Sequence, residues 1–224
     1  MNKFEEGQVL LIDKPLGWTS FDVIRKLRSI LKIRKIGHAG TLDPLATGLL
    51  IVCTGKFTKK INEFMAQEKE YTGTFTVGAT TPTYDRESDP ENIKDFSFLT
   101  TDTIHAAISS FTGEILQKPP MHSAIKKDGK RAYTLARQGI EVELEPRKLT
   151  IREFEITNIE LPVIHFRVAC STGTYIRSLA NDFGATLGCG AYLSSLRRTR
   201  IGEFNVADSV TMETFEKEVK ETSQ

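Results

Sequence analysis

Residues 140–170 constrain the fold more than any other stretch, because three predicted strands follow one another there with only short connections. Apolar and β-branched residues place these strands near 140–144, 149–156 and 163–170. The connections are much shorter than the roughly dozen residues that a crossover between parallel strands needs. We therefore expect antiparallel pairing and an α+β fold rather than a doubly wound parallel sheet.

The remaining apolar patterns predict further elements before and after these strands in the sequence. Apolar runs at 9–12 and 49–53 indicate buried strands, and residues 71–78 alternate strictly, with Tyr71, Phe75 and Val77 on one face. A further strand is predicted at 192–198. Helices are predicted at 20–32, where Thr19 and Asp22 match a capping box, from Ile104 to near Gly113, and at 131–138, 176–187 and 211–220. The expected architecture is one α+β domain with a mixed, mostly antiparallel central sheet flanked by helices.

Composition excludes several classes of protein. The 224 residues carry a net charge of +1 and only three cysteines, which are too scattered for a disulfide framework or a zinc site. This cysteine usage suits a reducing compartment. No signal peptide and no membrane-length apolar run are apparent, so we expect a cytoplasmic protein without a membrane partner.

Basic residues are unevenly distributed. Residues 25–35, RKLRSILKIRK, hold six cations and no acid, and Arg197, Arg198 and Arg200 form a second cluster. The ordinary explanation of one such run is the solvated face of a helix, here the helix whose apolar stripe would be Phe21, Ile24, Leu27 and Leu31. Two clusters in a balanced chain favour a polyanionic partner, and we expect both to contact phosphates.

The loop at 36–48 contains GHAGTLDPLATG, with a single carboxylate, Asp43, at its centre. It matches neither of the glycine-rich phosphate-binding motifs, the chain has no nucleophile elbow, and its histidines lack metal-ligand spacing. Asp43 is either a turn residue before Pro44 or a nucleophile that forms a covalent adduct. As a nucleophile it would need a paired cation, ideally an arginine, to stay ionised.

Six motifs identify a family in which such a loop is catalytic. In chain order they are LLIDKPLGWTSFDV, GHAGTLDPLATGLL, KEYTGTFTVGATTPTYD, QKPPMHSAIKKDGKRAYTLARQG, CSTGTYIRSLANDFG and LSSLRRTRIGEF. Together they span roughly residues 8–207, nearly the whole chain. The chain resembles the tRNA pseudouridine synthase B family, which isomerises uridine 55 in the T loop of tRNA.

The resemblance implies a role for each matching position. Asp43 would be the nucleophile, Arg177 its paired arginine, and Tyr71 the ring that stacks on the target base and takes part in the final proton removal. Substrate contacts would come from His38, Asp85, Tyr175, Leu196 and Lys14, the last equally compatible with a purely structural role. Attack on the base, attack on the ribose and a glycal intermediate are all compatible with this set.

The resemblance also implies partners and domains. We expect binding to the T arm of tRNA, no metal or other cofactor, and a monomer. Residues 1–210 would form the pseudouridine synthase catalytic fold with an RNA-gripping insertion near 119–148. Residues 211–224 would be a short helix and tail, with no C-terminal RNA-binding domain of the PUA type.

One position departs from the family pattern, and two other functions stay open. His122 stands where the family usually has tyrosine. The first alternative is a non-catalytic RNA-binding or tRNA-folding protein on the same scaffold. The second is a synthase for other RNAs with a T-loop-like structure.

Overall fold

The computed structural model of the chain describes residues 3–121, 123, 126–127, 130–140 and 144–222. The helices are α1 (Lys3–Glu6), α2 (Ser20–Leu31), α3 (Ile61–Ala66), α4 (Thr101–Ile108), α5 (Ala132–Arg137), α6 (Ile176–Leu187) and α7 (Met212–Thr222). The strands are β1 (Val9–Lys14), β2 (Ile36–Ala39), β3 (Ala46–Thr54), β4 (Lys69–Val77), β5 (Gly113–Gln117), β6 (Lys126–Lys127), β7 (Lys130–Arg131), β8 (Arg147–Glu160), β9 (Val163–Cys170), β10 (Ala191–Ile201), β11 (Phe204–Asn205) and β12 (Val210–Thr211). Short 3₁₀ turns lie at Gly55–Lys60, Ser109–Phe111 and Val206–Asp208.

The chain forms two compact units, and β4 and β10 contribute residues to both. The terminal unit contains the chain up to Thr72 and from Leu196 onward, and the middle unit is Gly73–Ser195. In the terminal unit the strand order is β12-β1-β3-β10, with β2 on β3 and β11 on β10. The β1–β3 pair is antiparallel, whereas β1–β12 and β3–β10 are parallel.

The terminal unit buries both faces of β3, because its apolar residues alternate between two hydrophobic clusters. Leu50 and Val52 pack with residues of α2 and α7, among them Leu27 and Phe215. Residues 49, 51 and 53 belong to the second cluster, which includes Ile201. Helix α7 is thereby part of the core of this unit, since Met212 and Phe215 are buried in it.

The middle unit contains two of the three consecutive strands that the sequence predicts, β8 and β9. Strand β9 pairs antiparallel with β8, and β8 pairs antiparallel with β5. A cluster of phenylalanine rings fills its core, with Phe75 and Phe166 stacked at 4.2 Å between centroids. The α+β class and the mixed, mostly antiparallel sheet pairing are therefore confirmed.

Several details differ from the expectations. The predicted 36–48 loop is strand β2 at its start and strand β3 at its end, and strand β5, which begins at Gly113, was not predicted. In the region of the strand expected near 140–144, residues 140 and 144 are not in a strand, and 141–143 lie outside the described residues, as does His122. Over the described ranges, no helix is long and apolar enough to cross a membrane.

Helix α2 begins as predicted but packs differently. Thr19 caps it, and the reciprocal hydrogen bonds with Asp22 form the expected capping box. The buried positions include Val23, Ile24, Leu27 and Leu31, whereas Phe21 is 60% exposed, so its placement in the apolar stripe was wrong. Ser20 and Val23 flank the stripe instead, and a residue at 21 points about 100° away from one at 20 in an α-helix.

Candidate active site

Asp43 lies in a loop between β2 and β3, residues 40–45, which we call the Asp43 loop. The residues on either side of Asp43 are held from the segment that precedes α2. Ser20 Oγ accepts a hydrogen bond from the Leu42 N–H at 2.9 Å and donates to the Leu42 carbonyl at 3.2 Å. The Gly17 N–H donates to the Pro44 carbonyl at 2.9 Å. The backbone at Asp43 is thus fixed before any substrate binds, as a positioned nucleophile requires.

Lys14 supports the same loop from inside the protein. Its side chain is fully buried, and Nζ donates to the carbonyls of Pro15 at 3.0 Å, Trp18 at 2.5 Å and Pro44 at 3.4 Å. Burial lowers the pKa of Lys14 to about 8, the negative charge of Asp43 acts in the opposite direction, and the positive charge of Arg198 lowers it further. This geometry fits support of the loop, and a direct contact of Lys14 with RNA stays a prediction.

Arg198 is the second buried cation at this loop. It is 1% exposed, its Nε donates to the Leu49 carbonyl at 2.8 Å, and Nη2 donates to the Gly40 carbonyl at 3.1 Å. The guanidinium therefore joins the start of the Asp43 loop to strand β3. The expectation that Arg198 contacts phosphates is wrong, because both of these donor groups serve the protein's own carbonyls in its interior.

The other two arginines of that cluster are also engaged within the terminal unit. Arg197 Nη1 and Nη2 donate to the Asp13 carboxylate at 3.0 and 2.7 Å, and Arg200 Nη2 donates to Glu68 at 2.9 Å. These ion pairs connect β10 to β1, which lies on the far side of β3, and to the residue before β4, and they offset the cluster's charge. A phosphate would have to compete with a carboxylate already in place.

Three further predicted residues lie in the terminal unit. His38, on β2, is half-buried, and its pKa is lowered by burial and by the positive charge of Arg198. Its Nδ1 is buried without a hydrogen-bond partner within the described part of the chain. Tyr71, on β4, is only 7% exposed, and Leu196, on β10, is half-buried where it pairs with Ala46.

Asp85 and Arg177 lie together in the middle unit. Asp85 Oδ2 is 3.7 Å from Arg177 Nε, and both side chains are 6% exposed. Thr83 contacts both residues: its Oγ1 donates to Asp85 Oδ1 at 2.7 Å, and its carbonyl accepts from Arg177 Nη1 at 3.4 Å. The Glu87 N–H also donates to Asp85 Oδ1, at 2.9 Å. Asp85 is therefore oriented by one hydroxyl and one backbone donor beside the guanidinium.

Tyr175 is positioned by a residue that the sequence did not single out. The Tyr175 N–H donates to Gln117 Oε1 at 2.8 Å, and Gln117 Nε2 donates to the Tyr175 carbonyl at 3.1 Å. Gln117 is 2% exposed at the end of β5, so this two-bond contact fixes the start of α6 and, with it, the YIR segment. No sequence signal marks Gln117, since only the unpredicted strand β5 brings it there.

The predicted residues thus fall into two groups. Lys14, His38, Asp43, Tyr71 and Leu196 belong to the terminal unit, and Asp85, Tyr175 and Arg177 belong to the middle unit. Thr83, whose hydroxyl donates to the Asp85 carboxylate, was a further omission of the sequence prediction. The pairing of Asp43 with Arg177 stays a prediction.

The cations of the basic run at 25–35 differ in their exposure and in their contacts. Arg28, Lys32, Arg34 and Lys35 are exposed. Arg25 is exposed and contacts Asp22 at 2.7 Å, whereas Lys26 contacts Glu216 of α7 at 2.8 Å. Most of the run is therefore available to a partner, in contrast to the cluster at 197–200.

The chain is similar to known proteins over most of its length. A family model described as TruB family pseudouridylate synthase (N terminal domain) matches residues 28–176, and one described as tRNA pseudouridylate synthase B C-terminal domain matches residues 177–224. A tRNA pseudouridine synthase B from Flavobacterium johnsoniae is 55% identical over 225 residues, covering 97% of this chain and 98% of the relative. One from Chloroherpeton thalassium is 47% identical over 98% of this chain and 93% of the relative.

Solved structures give the same result at the level of the fold. A chain in a Cbf5-Nop10-Gar1 complex matches with a TM-score of 0.75 and 32% identity, over 96% of this chain and 54% of that one. A chain in an H/ACA RNP bound to a substrate RNA containing 2'-deoxyuridine matches with a TM-score of 0.74 and 28% identity, over 99% of this chain and 56% of that one. This chain spans about half the length of those solved chains. The matched family models and the near full-length relatives show that the chain belongs to the TruB family of tRNA pseudouridine synthases.

Proposed function

We propose that this chain isomerises uridine to pseudouridine at position 55 in the T loop of tRNA, with Asp43 as the nucleophile. Membership of the TruB family makes the chain a pseudouridine synthase that acts on tRNA. The observation that supports the residue assignment is the Asp43 loop, where hydrogen bonds fix Leu42 and Pro44 on both sides of one carboxylate.

The proposed reaction is balanced without a second substrate. The C1′–N1 bond of the uridine breaks, the base turns, a C1′–C5 bond forms, and the proton on C5 is lost while N1 gains one. Asp43 would form a covalent adduct that holds the reacting fragments during this exchange. Tyr71 would stack on the base and take part in the removal of the C5 proton.

The other site residues would prepare the substrate. The target nucleotide is stacked inside a folded loop and has to be extruded, which costs a few kcal/mol, and stacking on an aromatic ring offsets part of that cost. Asp85 would bind the uracil edge, with Tyr175 and Leu196 lining the pocket and His38 contacting the rearranged RNA. Arg177 would keep the nucleophile ionised.

The enzyme would bind the T arm, act as a monomer in the cytoplasm, and need no metal or other cofactor. The exposed cations Arg28, Lys32, Arg34 and Lys35 favour a polyanionic partner. Light scattering on the purified protein and on its RNA complex tests the monomer.

Release of tritium from tRNA labelled at C5 of uridine tests the function, because the C5 hydrogen leaves when the C1′–C5 bond forms. We expect release from a tRNA transcript with uridine at 55, in the presence of EDTA, and none from a matched transcript with cytidine there. Release from the cytidine transcript would move the activity to another uridine. Binding without any release would instead support the non-catalytic RNA-binding alternative.

An isolated T-arm stem-loop, assayed beside full tRNA, tests the expected recognition. We expect a catalytic efficiency within about tenfold of full tRNA, a difference of about 1.4 kcal/mol. A loss of about a thousandfold would show that distant tRNA contacts dominate.

A further inference from the structure

Two exposed apolar side chains lie next to the anchors of the Asp43 loop. Phe21 is 60% exposed and follows Ser20, which is hydrogen-bonded to Leu42. Leu16 is 64% exposed and precedes Gly17, which is hydrogen-bonded to Pro44. Phe21 and Leu16 are therefore each one residue away from a contact to a neighbour of Asp43, and consecutive Cα atoms are about 3.8 Å apart. Phe21 has no place in the buried stripe of α2 that would explain a phenylalanine there.

Phe21 begins an exposed stripe of cations on the same helix. Arg25 and Arg28 follow at four and seven residues along α2, a spacing that brings side chains onto one face. Both are exposed, and the Arg25 side chain is 72% exposed. Its contact with Asp22 is a surface ion pair, which contributes little and can be exchanged for another anion. Lys26 lies off this face, in contact with Glu216 of α7.

An aromatic ring followed by cations on one face matches the chemistry of single-stranded nucleic acid. Every base has a π-face that stacks on an aromatic ring, and the phosphates between bases pair with arginines. A protein partner would instead favour further apolar surface along the helix, where this face has Arg25 and Arg28. The face begins beside the loop that holds the proposed nucleophile.

We propose that Phe21 is a stacking platform for an unpaired base next to the target uridine, and that Arg25 and Arg28 bind phosphates of the same RNA strand. The inference rests on the proposed function, because it takes the loop of the tRNA T arm as the occupant. It adds to that function a nucleotide-binding position outside the pocket of the flipped uridine. Leu16 adds apolar surface beside Phe21 for the loop of the tRNA T arm.

Binding of tRNA to Phe21 variants tests this platform, with Asp43→Asn in every protein so that no turnover intervenes. We expect Phe21→Ala to weaken binding by about 5- to 150-fold, the range for loss of one base–aromatic stack. Phe21→Trp should bind like the parent, whereas Phe21→Leu should resemble Phe21→Ala because it is apolar but has no ring. Phe98→Ala is the matched control, since Phe98 is an exposed phenylalanine outside this stripe, 56% exposed. Circular dichroism on each variant checks the fold.

Two results would overturn the platform: binding by Phe21→Ala equal to the parent, or binding by Phe21→Leu equal to Phe21→Trp. The second would indicate a general apolar contact rather than stacking. Tritium release by the protein with an intact Asp43 distinguishes this failure from failure of the proposed function. A protein that binds tRNA through Phe21 but releases no tritium would retain the platform and lose the assigned reaction.

Discussion

Asp85 and Arg177 form a buried pair of opposite charges in the middle unit, with Asp85 Oδ2 3.7 Å from Arg177 Nε. Thr83 fixes their arrangement, because it bonds the carboxylate through its hydroxyl and the guanidinium through its carbonyl. Removing one member of a buried pair costs more than the pair itself contributes, because the remaining charge loses a partner in the protein interior. The uracil-binding role proposed for Asp85 and the role proposed for Arg177 are therefore coupled.

Arg177→Lys tests this coupling while keeping the positive charge. Lysine is a point charge and cannot reach the Thr83 carbonyl and a carboxylate with the fixed geometry of a guanidinium. We expect kcat/KM for tRNA to fall by at least about 100-fold, which corresponds to about 2.7 kcal/mol. A double-mutant cycle with Asp85→Asn should show strong non-additivity, as expected for residues in contact. Normal activity in the lysine variant would show that neither contact matters to the reaction.

Asp43→Asn tests the proposed nucleophile. The substitution keeps the shape of the side chain and removes its negative charge, so tritium release should fall by about 10⁴-fold or more, whereas tRNA affinity should change by less than about threefold. Ser20→Ala is a useful comparison, because it removes the hydroxyl that bonds Leu42 and leaves the carboxylate in place. Residual turnover of Asp43→Asn within tenfold of the unaltered enzyme would rule out Asp43 as the nucleophile.

The sequence predicted the fold best where one local pattern decided the structure. The antiparallel pairing of β8 with β9 followed from their short connection, and the start of α2 followed from Thr19 and Asp22. Strand β5 and the 3₁₀ turn at 55–60 were missed, because short segments carry little periodicity and are fixed by long-range pairing. Phe21 was misplaced since a phenylalanine at helical spacing resembles a core residue until the helix is packed.

The residues of the candidate site show the same contrast between local patterns and long-range contacts. The residues that would react or touch RNA were predicted through motifs, whereas those that hold them were not. Gln117 and Arg198 act through backbone contacts with residues 58 and 158 positions away, respectively. Nothing in a local window distinguishes a buried arginine of this kind from a phosphate-binding one. The two differ only in what surrounds the guanidinium after folding.

Gly48→Ala should destabilise the protein, because strand β10 approaches β3 too closely for a side chain there. A β-carbon at Gly48 would lie 2.3 Å from the Arg198 carbonyl oxygen, and the backbone has a φ of 102°. Gly113→Ala is the matched control, since its φ is 94° but a β-carbon would meet nothing within 4 Å. We expect about 1–2 kcal/mol for the control from the backbone conformation alone, and a clearly larger loss for Gly48→Ala in urea unfolding. Equal losses would mean that the strands separate at little cost.

Lys14 should make stability depend on pH in the alkaline range. Its pKa in the folded protein is about 8 and its ordinary value is 10.5, so between these values the unfolded chain binds more protons than the folded one. The free energy of unfolding should therefore rise with pH from about 8 to 10.5, with a slope of at most about 1.4 kcal/mol per pH unit. The difference between the unaltered protein and Lys14→Met isolates this group from the other titrations. A difference that stays constant from pH 7 to 10 would show that Lys14 keeps its ordinary pKa.

Single-charge substitutions on α2 separate a phosphate-binding face from a merely solvated one. Each phosphate contact that is lost should reduce the slope of log K against log salt by about 0.7 to 0.9, because fewer counterions are released when the RNA binds. We expect Arg25→Gln and Arg28→Gln each to produce a change of this size in tRNA binding. Lys26→Gln removes the same charge from the same helix, but Lys26 already contacts Glu216 at 2.8 Å, so its slope should match that of the unaltered protein. Titrations at several salt concentrations measure the slope for all four proteins. An equally large reduction of the slope in all three variants would indicate general electrostatic attraction rather than a phosphate-binding face. An unchanged slope in every variant would return the cations of α2 to the role of a solvated helix surface.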